Sequence, residues 1–169
     1  CLAGQAFMNA PVGAVHALAY PLGGHYHLPH GLSNSLVLPS VLTFNKSSCA
    51  NWYAELAEVV IGAGALASTD EQRADQLVDY FIALIDELKL PATLQAAKVP
   101  EQDLAMLAKD AMAQQRLLVN NPRPVTEADA RAIYQSAYSE VVAVVILCYY
   151  LPIHFSSNII LVYSILQIL

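Results

Sequence analysis

The sequence predicts an all-α fold, and three observations support this prediction. Apolar residues recur at helical spacing, proline or capping residues mark the ends of the apolar segments, and no segment before residue 140 alternates with a period of two. The length of 169 residues suits one ordinary domain with a core. We therefore expect a single helical domain.

The first predicted helix follows Asn9, a candidate N-cap, and Pro11, which is tolerated in a first helical turn. The segment VGAVHALAY then continues as helix until Pro21 and the glycines after it end it. His16 and Tyr20 are one helical turn apart, so we expect them on the same face.

A loop, PLGGHYH, carries His25 and His27 and leads to a second apolar helix, HGLSNSLVLPSVLTF. Pro29 introduces this helix, His30 lies at its start, and Pro39 should kink or interrupt it. Most of the histidines of the chain therefore lie on these two helices and the loop between them.

An amphipathic segment starts at residue 50 and ends in a glycine-containing connector, IGAGALAST. The GAGA within this connector follows a helix and lacks a third glycine, so we interpret it as a connector and not as a phosphate-binding loop. The predicted apolar face of the segment consists of Trp52, Leu56, Val59 and Val60.

Two capping boxes mark later helices. Ser68 with Glu71 precedes a long helix, and Thr126 with Asp129 opens TEADARAIYQSAY. A shorter helix lies between them. The apolar stripe of the long helix comprises Leu77, Val78, Phe81, Leu84, Ile85 and Leu88, and the shorter helix carries Leu104, Leu107 and Ala111.

Charge is confined to the middle of the chain. All 8 Lys and Arg and all 14 Asp and Glu lie between Lys46 and Glu140, and hydrophobic residues make up 56% of the sequence. A net charge of −6 without a basic cluster excludes nucleic acid as the expected partner. The 3 cysteines are widely spaced, which argues against a disulfide framework or a thiolate zinc site and favours the cytoplasm.

The opening CLAGQAFMNA has neither an initiator Met nor the pattern of a secretory signal. We therefore expect the chain to begin within a longer protein.

His16 and His30 are candidate metal ligands. A divalent ion of the iron or zinc type binds neutral imidazole nitrogens, and the two side chains can converge if the glycine loop folds back. The alternative is that both histidines are packed and hydrogen-bonded without a metal.

The segment GAVHALAYPLGGHYHLPHGLSNSLVLPSVLTFN resembles the metal-site segment of the iron-containing (group III) alcohol dehydrogenases. The likeness continues through WYAELAEVVIGA, IDELKLPATL, VPEQDLAMLAKDAM and NPRPVTEADARAIYQSAY, over residues 1–138. It implies the C-terminal helical domain of the iron-type alcohol dehydrogenase and dehydroquinate synthase-like fold. It also implies that His16 and His30 bind one divalent ion, with iron expected and zinc as the alternative.

The resemblance implies an oxidoreductase that interconverts a small alcohol and its carbonyl compound by metal-assisted hydride transfer with NAD or NADP. In that family an Asp and a His ligand and the nucleotide-binding domain lie upstream, and the full-length relative is expected to be a homo-oligomer. We expect the chain alone to be inactive and assign no catalytic residue to it. The alternatives are a non-catalytic remnant and a membrane-attached helical interaction protein.

Three further residues are candidates for the substrate or cofactor pocket. The family often has a histidine at the position of Tyr20, so a role for Tyr20 in proton relay stands beside simple packing. His25 and His27, on the predicted loop, contact substrate or cofactor or are solvated. A second departure from the family is QAAKV, which replaces a glycine-containing turn.

The predicted domain covers residues 1–138, and residues 139–169 form a hydrophobic tail of a different composition. Two uncharged apolar runs flank PIHFSSN, and each run is shorter than the about 20 residues that cross a bilayer. Three origins stay open: an appended or frameshifted sequence, membrane attachment, and a buried element. The polar residues between the runs argue against a transmembrane helix.

Deleting residues 141–169 should leave the helices of residues 12–138 folded and make the chain more soluble. Exposed apolar runs favour aggregation, because each buried CH₂ gains about 0.8 kcal/mol over exposure to water. Circular dichroism and thermal melting of the shortened chain check this expectation. Loss of the helical signal and of cooperative melting would identify the tail as part of the core.

Overall fold

The computed structural model describes residues 1–139, and this part of the chain is helical without a strand, which confirms the predicted all-α class. The predicted boundary after residue 138 and the tail at residues 141–169 lie at or beyond the end of the described residues. Within them, no helix is long and apolar enough to cross a membrane. The α-helices are α1 (Leu2–Asn9), α2 (Ala14–Tyr26), α3 (His30–Val60), α4 (Asp70–Glu87), α5 (Leu104–Ala111), α6 (Gln115–Leu118) and α7 (Glu127–Tyr138), and single 3₁₀ turns lie at Ala63–Ala65 and Glu101–Asp103.

Helix α2 lies at the centre of the fold. It packs against α3, α5 and α6, and its side chains from Ala14 to Ala19 are almost completely buried. The hydroxyl of the buried Tyr134 on α7 donates a hydrogen bond of 2.6 Å to the carbonyl oxygen of Leu18. A helix enclosed in this way cannot carry an unpaired formal charge, which explains the uncharged composition of its sequence.

The predicted bounds of the first helix are wrong at both ends. Asn9 ends α1, and α2 begins after Gly13, continues through Pro21 and ends at His27, whose φ is 55°. Pro21 removes one backbone hydrogen bond, but its ring and Leu22 are buried in the core. Burial of the apolar turn therefore outweighs the local tendency of proline to end the helix.

Helix α3 also continues through its proline. The backbone departs from helical geometry at Cys49, with φ −148° and ψ 31°, and not at Pro39. The predicted apolar face after residue 50 is wrong, because Trp52 and Val59 are 60% and 55% exposed. The buried face consists of Tyr53, Ala54 and Ala57, and these small alanines allow close packing against α4.

The later helices follow the sequence more closely. The N-cap of α4 is Thr69, one residue after the predicted Ser68, and its side chain accepts a hydrogen bond from the backbone of Gln72. The capping box of Thr126 and Asp129 is confirmed. Of the predicted apolar residues of α4 and α5, the structure buries Leu77, Val78, Phe81, Ile85, Leu104, Leu107 and Ala111, whereas Leu88 is exposed.

A pair of amides fixes the start of α2. Asn45 and Asn121 exchange two hydrogen bonds, of 2.9 and 2.8 Å, between their side chains. The Oδ1 atom of Asn121 also lies 3.4 Å from the backbone nitrogen of Ala14, and its Nδ2 atom donates to the carbonyl oxygen of Arg123. A Cβ atom at Gly13 would lie 3.4 Å from Asn121, so this approach is close. The amide pair therefore connects α3 and the loop before α7 to the N-terminus of α2.

Replacing Asn121 by Ala should lower the free energy of unfolding by about 1–3 kcal/mol, because the buried amide of Asn45 then loses both partners. Urea unfolding followed by circular dichroism measures the change. The control is Asn51→Ala, at an exposed position of α3, for which a change within about 0.5 kcal/mol is expected. Equal stability of the two variants would show that the amide pair is not structural.

Candidate metal centre

A three-residue turn brings the ends of α2 and α3 together. His27 takes the left-handed conformation, and Pro29, with φ −54° and ψ 142°, precedes the first residue of α3, His30. The two helices then pack against each other. As a result the imidazole rings of His16 and His30 lie with their centroids 5.1 Å apart, at an interplanar angle of 54°.

The side chain of Asn34 lies between the two rings. Its Nδ2 atom is 3.5 Å from Nε2 of His16 and 3.2 Å from Nε2 of His30. Asn34 is one turn after His30 on α3, so both side chains lie on the same face of the helix. One nitrogen of each imidazole therefore faces the same small volume.

Burial determines the protonation state of His16. Its side chain is 3% exposed, and desolvation, followed by the nearby His30, lowers the pKa of His16 to about 4. At neutral pH this imidazole is therefore uncharged, which is the form that binds metal ions.

Two buried polar atoms in this cluster have no hydrogen-bond partner among residues 1–139, namely Nδ1 of His16 and Oδ1 of Asn34. Buried polar atoms are normally paired, and unpaired ones in native proteins often mark functional positions. Both atoms belong to the cluster that contains the two predicted ligands.

The donor set fits a divalent ion of the iron or zinc type, since neutral imidazole nitrogens are ligands of both. The described residues supply only part of such a site. Within residues 1–139, no group of three or more His, Cys, Asp or Glu side chains is placed to hold a metal ion. A tetrahedral site built on His16 and His30 needs two further ligands.

Tyr20 borders the histidine pair. Its ring centroid is 6.2 Å from that of His30, and its side chain is 37% exposed. Tyr20 therefore lies at the open side of the cluster, next to the partly accessible ring of His30.

The other two histidines lie away from the pair. His25 belongs to α2 and not to a loop, about 14 Å along the helix from His16 at 1.5 Å per residue. Its Nε2 atom is 2.6 Å from Oδ2 of Asp110 on α5, and both side chains are partly exposed. His27 is exposed in the turn. The structure thus brings Tyr20 to the His16–His30 pair but places His25 and His27 at the far end of α2.

A second contact joins the end of α2 to α5. The hydroxyl of Tyr26 donates a hydrogen bond of 2.8 Å to Asp103, and burial together with this carboxylate raises the pKa of Tyr26 to about 12. The predictions from sequence did not include Asp103, Asp110 or Asn34. Asn34 has a usable signal, because it follows His30 by one helical turn. Contacts with α5 join residues far apart in sequence, and the sequence carries no local sign of them.

A sequence model described as the Fe-containing alcohol dehydrogenase family, C-terminal, matches residues 1–138. The chain belongs to this family. The match includes α1 to α7 and both histidines of the pair. It confirms the resemblance to the iron-containing alcohol dehydrogenases.

Individual members of the family are similar over the same part of the chain. The long-chain-alcohol dehydrogenase 1 of Geobacillus thermodenitrificans is 42% identical over 140 residues, which is 82% of this chain and 35% of the relative. The NADPH-dependent butanol dehydrogenase of Clostridium saccharobutylicum is 30% identical and covers 82% of this chain and 36% of the relative.

A solved structure shares the fold. The alcohol dehydrogenase from Oenococcus oeni has a TM-score of 0.74 and 30% identity, covering 80% of this chain and 35% of that protein. The chain therefore spans about a third of the length of the iron-containing alcohol dehydrogenases that it matches, and it corresponds to their C-terminal helical part.

Replacing His16 by Leu should leave the free energy of unfolding unchanged or raise it by up to about 1 kcal/mol, because a buried nitrogen without a partner is removed. Chemical unfolding of the chain measures the effect. The control is His27→Asn, which keeps the left-handed turn accessible and should change stability by less than about 0.5 kcal/mol. A loss of more than about 1 kcal/mol in the Leu variant would show that the His16 imidazole stabilises the fold.

Proposed function

We propose that this chain is the helical metal-binding part of an enzyme that interconverts a small alcohol and its carbonyl compound with NAD or NADP. The observation that carries the proposal is the convergence of one nitrogen from His16 and one from His30 on the same point beside Asn34. The relatives named for alcohol oxidation and reduction support the reaction class.

His16 and His30 supply two neutral nitrogen donors from opposite helices of the α2–α3 pair. A divalent iron or zinc ion held there would act as a Lewis acid toward the oxygen of the alcohol or aldehyde. The buried surroundings of His16 exclude water on the α2 side. The exposed side of the cluster, at His30 and Tyr20, is the side from which a substrate can approach.

The two further ligands and the nucleotide-binding domain are proposed to come from sequence that precedes this segment in a longer chain. This proposal agrees with the two-donor composition of the cluster within residues 1–139 and with the share of about a third of each relative. Two histidines alone should hold a metal ion weakly, because a tetrahedral site normally has three or four protein ligands.

Roles for the remaining candidates follow from their positions. Tyr20 borders the exposed side of the cluster, where it would contact the substrate or the nicotinamide or pack against His30. The contact with Asp110 favours a structural role for His25. His27 stays a candidate for contact with substrate or cofactor.

A polypeptide of these 169 residues should not reduce NAD or NADP with any alcohol, even with added iron or zinc, because no domain holds the cofactor. Joined to the N-terminal portion of the long-chain-alcohol dehydrogenase relative, it should gain activity. In that fusion His16→Ala and His30→Ala should each lower kcat/KM by at least about 100-fold, since even partners beyond the direct ligands contribute 10–100-fold.

Ser33→Ala is the matched control, because Ser33 is buried beside the cluster and donates to backbone carbonyls of the turn and not to an imidazole. Steady-state rates of NAD(P)H formation measure all four fusions. Turnover by the 169-residue chain alone, or His variants as active as the control, would contradict the proposal.

A further inference from the structure

The side chain of Asn34 is the only part of the described structure that contacts both Nε2 atoms of the histidine pair. It is 9% exposed and lies one turn after His30 on α3. Its Oδ1 atom has no hydrogen-bond partner within residues 1–139. The described contacts of the amide are therefore those that its nitrogen makes with the two rings.

The chemistry of an amide decides what this contact requires of the rings. An NH₂ group carries two N–H donors and no acceptor, so it bonds to two imidazole nitrogens only if both are unprotonated. Each neutral ring must then carry its proton on Nδ1. The lone pairs of the two Nε2 atoms consequently point toward one place.

The opposite orientation of the amide has the opposite consequence. If Oδ1 faced the rings, it would accept hydrogen bonds from protonated Nε2 atoms, and no lone pair would be directed at the common point. The two arrangements therefore differ in a measurable property, the tautomer of both histidines.

We infer that Asn34 is a positioning residue: its amide N–H groups hold His16 and His30 as Nδ1–H tautomers and aim both Nε2 lone pairs at the point where a divalent cation binds. This inference rests on the proposed function in that the cation is the ligand of the prepared pair. With Oδ1 unpaired among the described residues, the amide has no other anchor there and can rotate aside when a cation takes the lone pairs.

The tautomers can be measured without any metal. Long-range ¹H–¹⁵N NMR of the ¹⁵N-labelled 169-residue chain, at a pH where the imidazoles are neutral, distinguishes protonated from unprotonated ring nitrogens. His16→Ala and His30→Ala assign the signals. We expect unprotonated Nε2 in both rings of the natural sequence, and protonated Nε2 in at least one ring of Asn34→Leu.

Ser33→Ala again serves as the control, and it should retain the tautomers of the natural sequence. A structural role of Asn34 alone would leave the tautomers of the Leu variant unchanged. Unchanged tautomers in Asn34→Leu, or protonated Nε2 atoms in the natural sequence, would overturn the inference.

Titration with Zn²⁺, followed through the same imidazole signals, tests the consequence for binding. Asn34→Leu should bind Zn²⁺ about 10–100-fold more weakly than the natural sequence, the range found for residues that orient metal ligands. Affinities within twofold of each other would overturn the inference. If the natural chain binds Zn²⁺ at neither histidine, the proposed metal site fails, and the tautomer comparison still decides the role of Asn34.

Discussion

The structure depends on the burial of α2. This helix packs against α3, α5 and α6, and most of its side chains are inaccessible to water. A formal charge on it would lack both solvent and a partner, so its sequence contains none and its single fully buried ionisable side chain, His16, is neutral at neutral pH. The same condition that makes α2 a core helix therefore makes His16 a suitable nitrogen donor.

The polar atoms of this interior are nearly all paired. Tyr134 bonds to the carbonyl oxygen of Leu18, and Asn45 pairs with Asn121 at the start of α2. Within residues 1–139, the buried polar side-chain atoms without a partner belong to His16 and Asn34, which are neighbours. A fold that satisfies its other buried polar groups has thus concentrated the unsatisfied ones in one place, as expected where a ligand completes the bonding.

Local sequence patterns predicted the helices that have strong caps and stripes. Thr126 with Asp129 and the apolar stripe of α4 are examples, because both signals arise within one or two helical turns. Pro21 and Pro39 were misleading, because packing energy from distant segments exceeds the loss of one backbone hydrogen bond. Similarly, burial of Ala54 and Ala57 in place of Trp52 depends on how closely α4 approaches.

The candidate site was predictable in part for the same reason. His16 and His30 stand out in an uncharged segment, and the resemblance to a metal-binding family made them the candidate ligands. Asn34 was missed because an asparagine inside a helix has no distinctive pattern until a neighbouring helix places His16 against it. Asp110 was missed because its contact with His25 joins residues on α2 and α5.

Diffraction at the zinc absorption edge tests the central claim most directly, with crystals of the chain joined to the N-terminal portion of the Geobacillus relative and grown with Zn²⁺. The claim predicts an anomalous peak between α2 and α3, with one nitrogen of His16 and one of His30 each at about 2.0–2.1 Å from the ion. A peak bound to neither ring, or to only one of them, would contradict it.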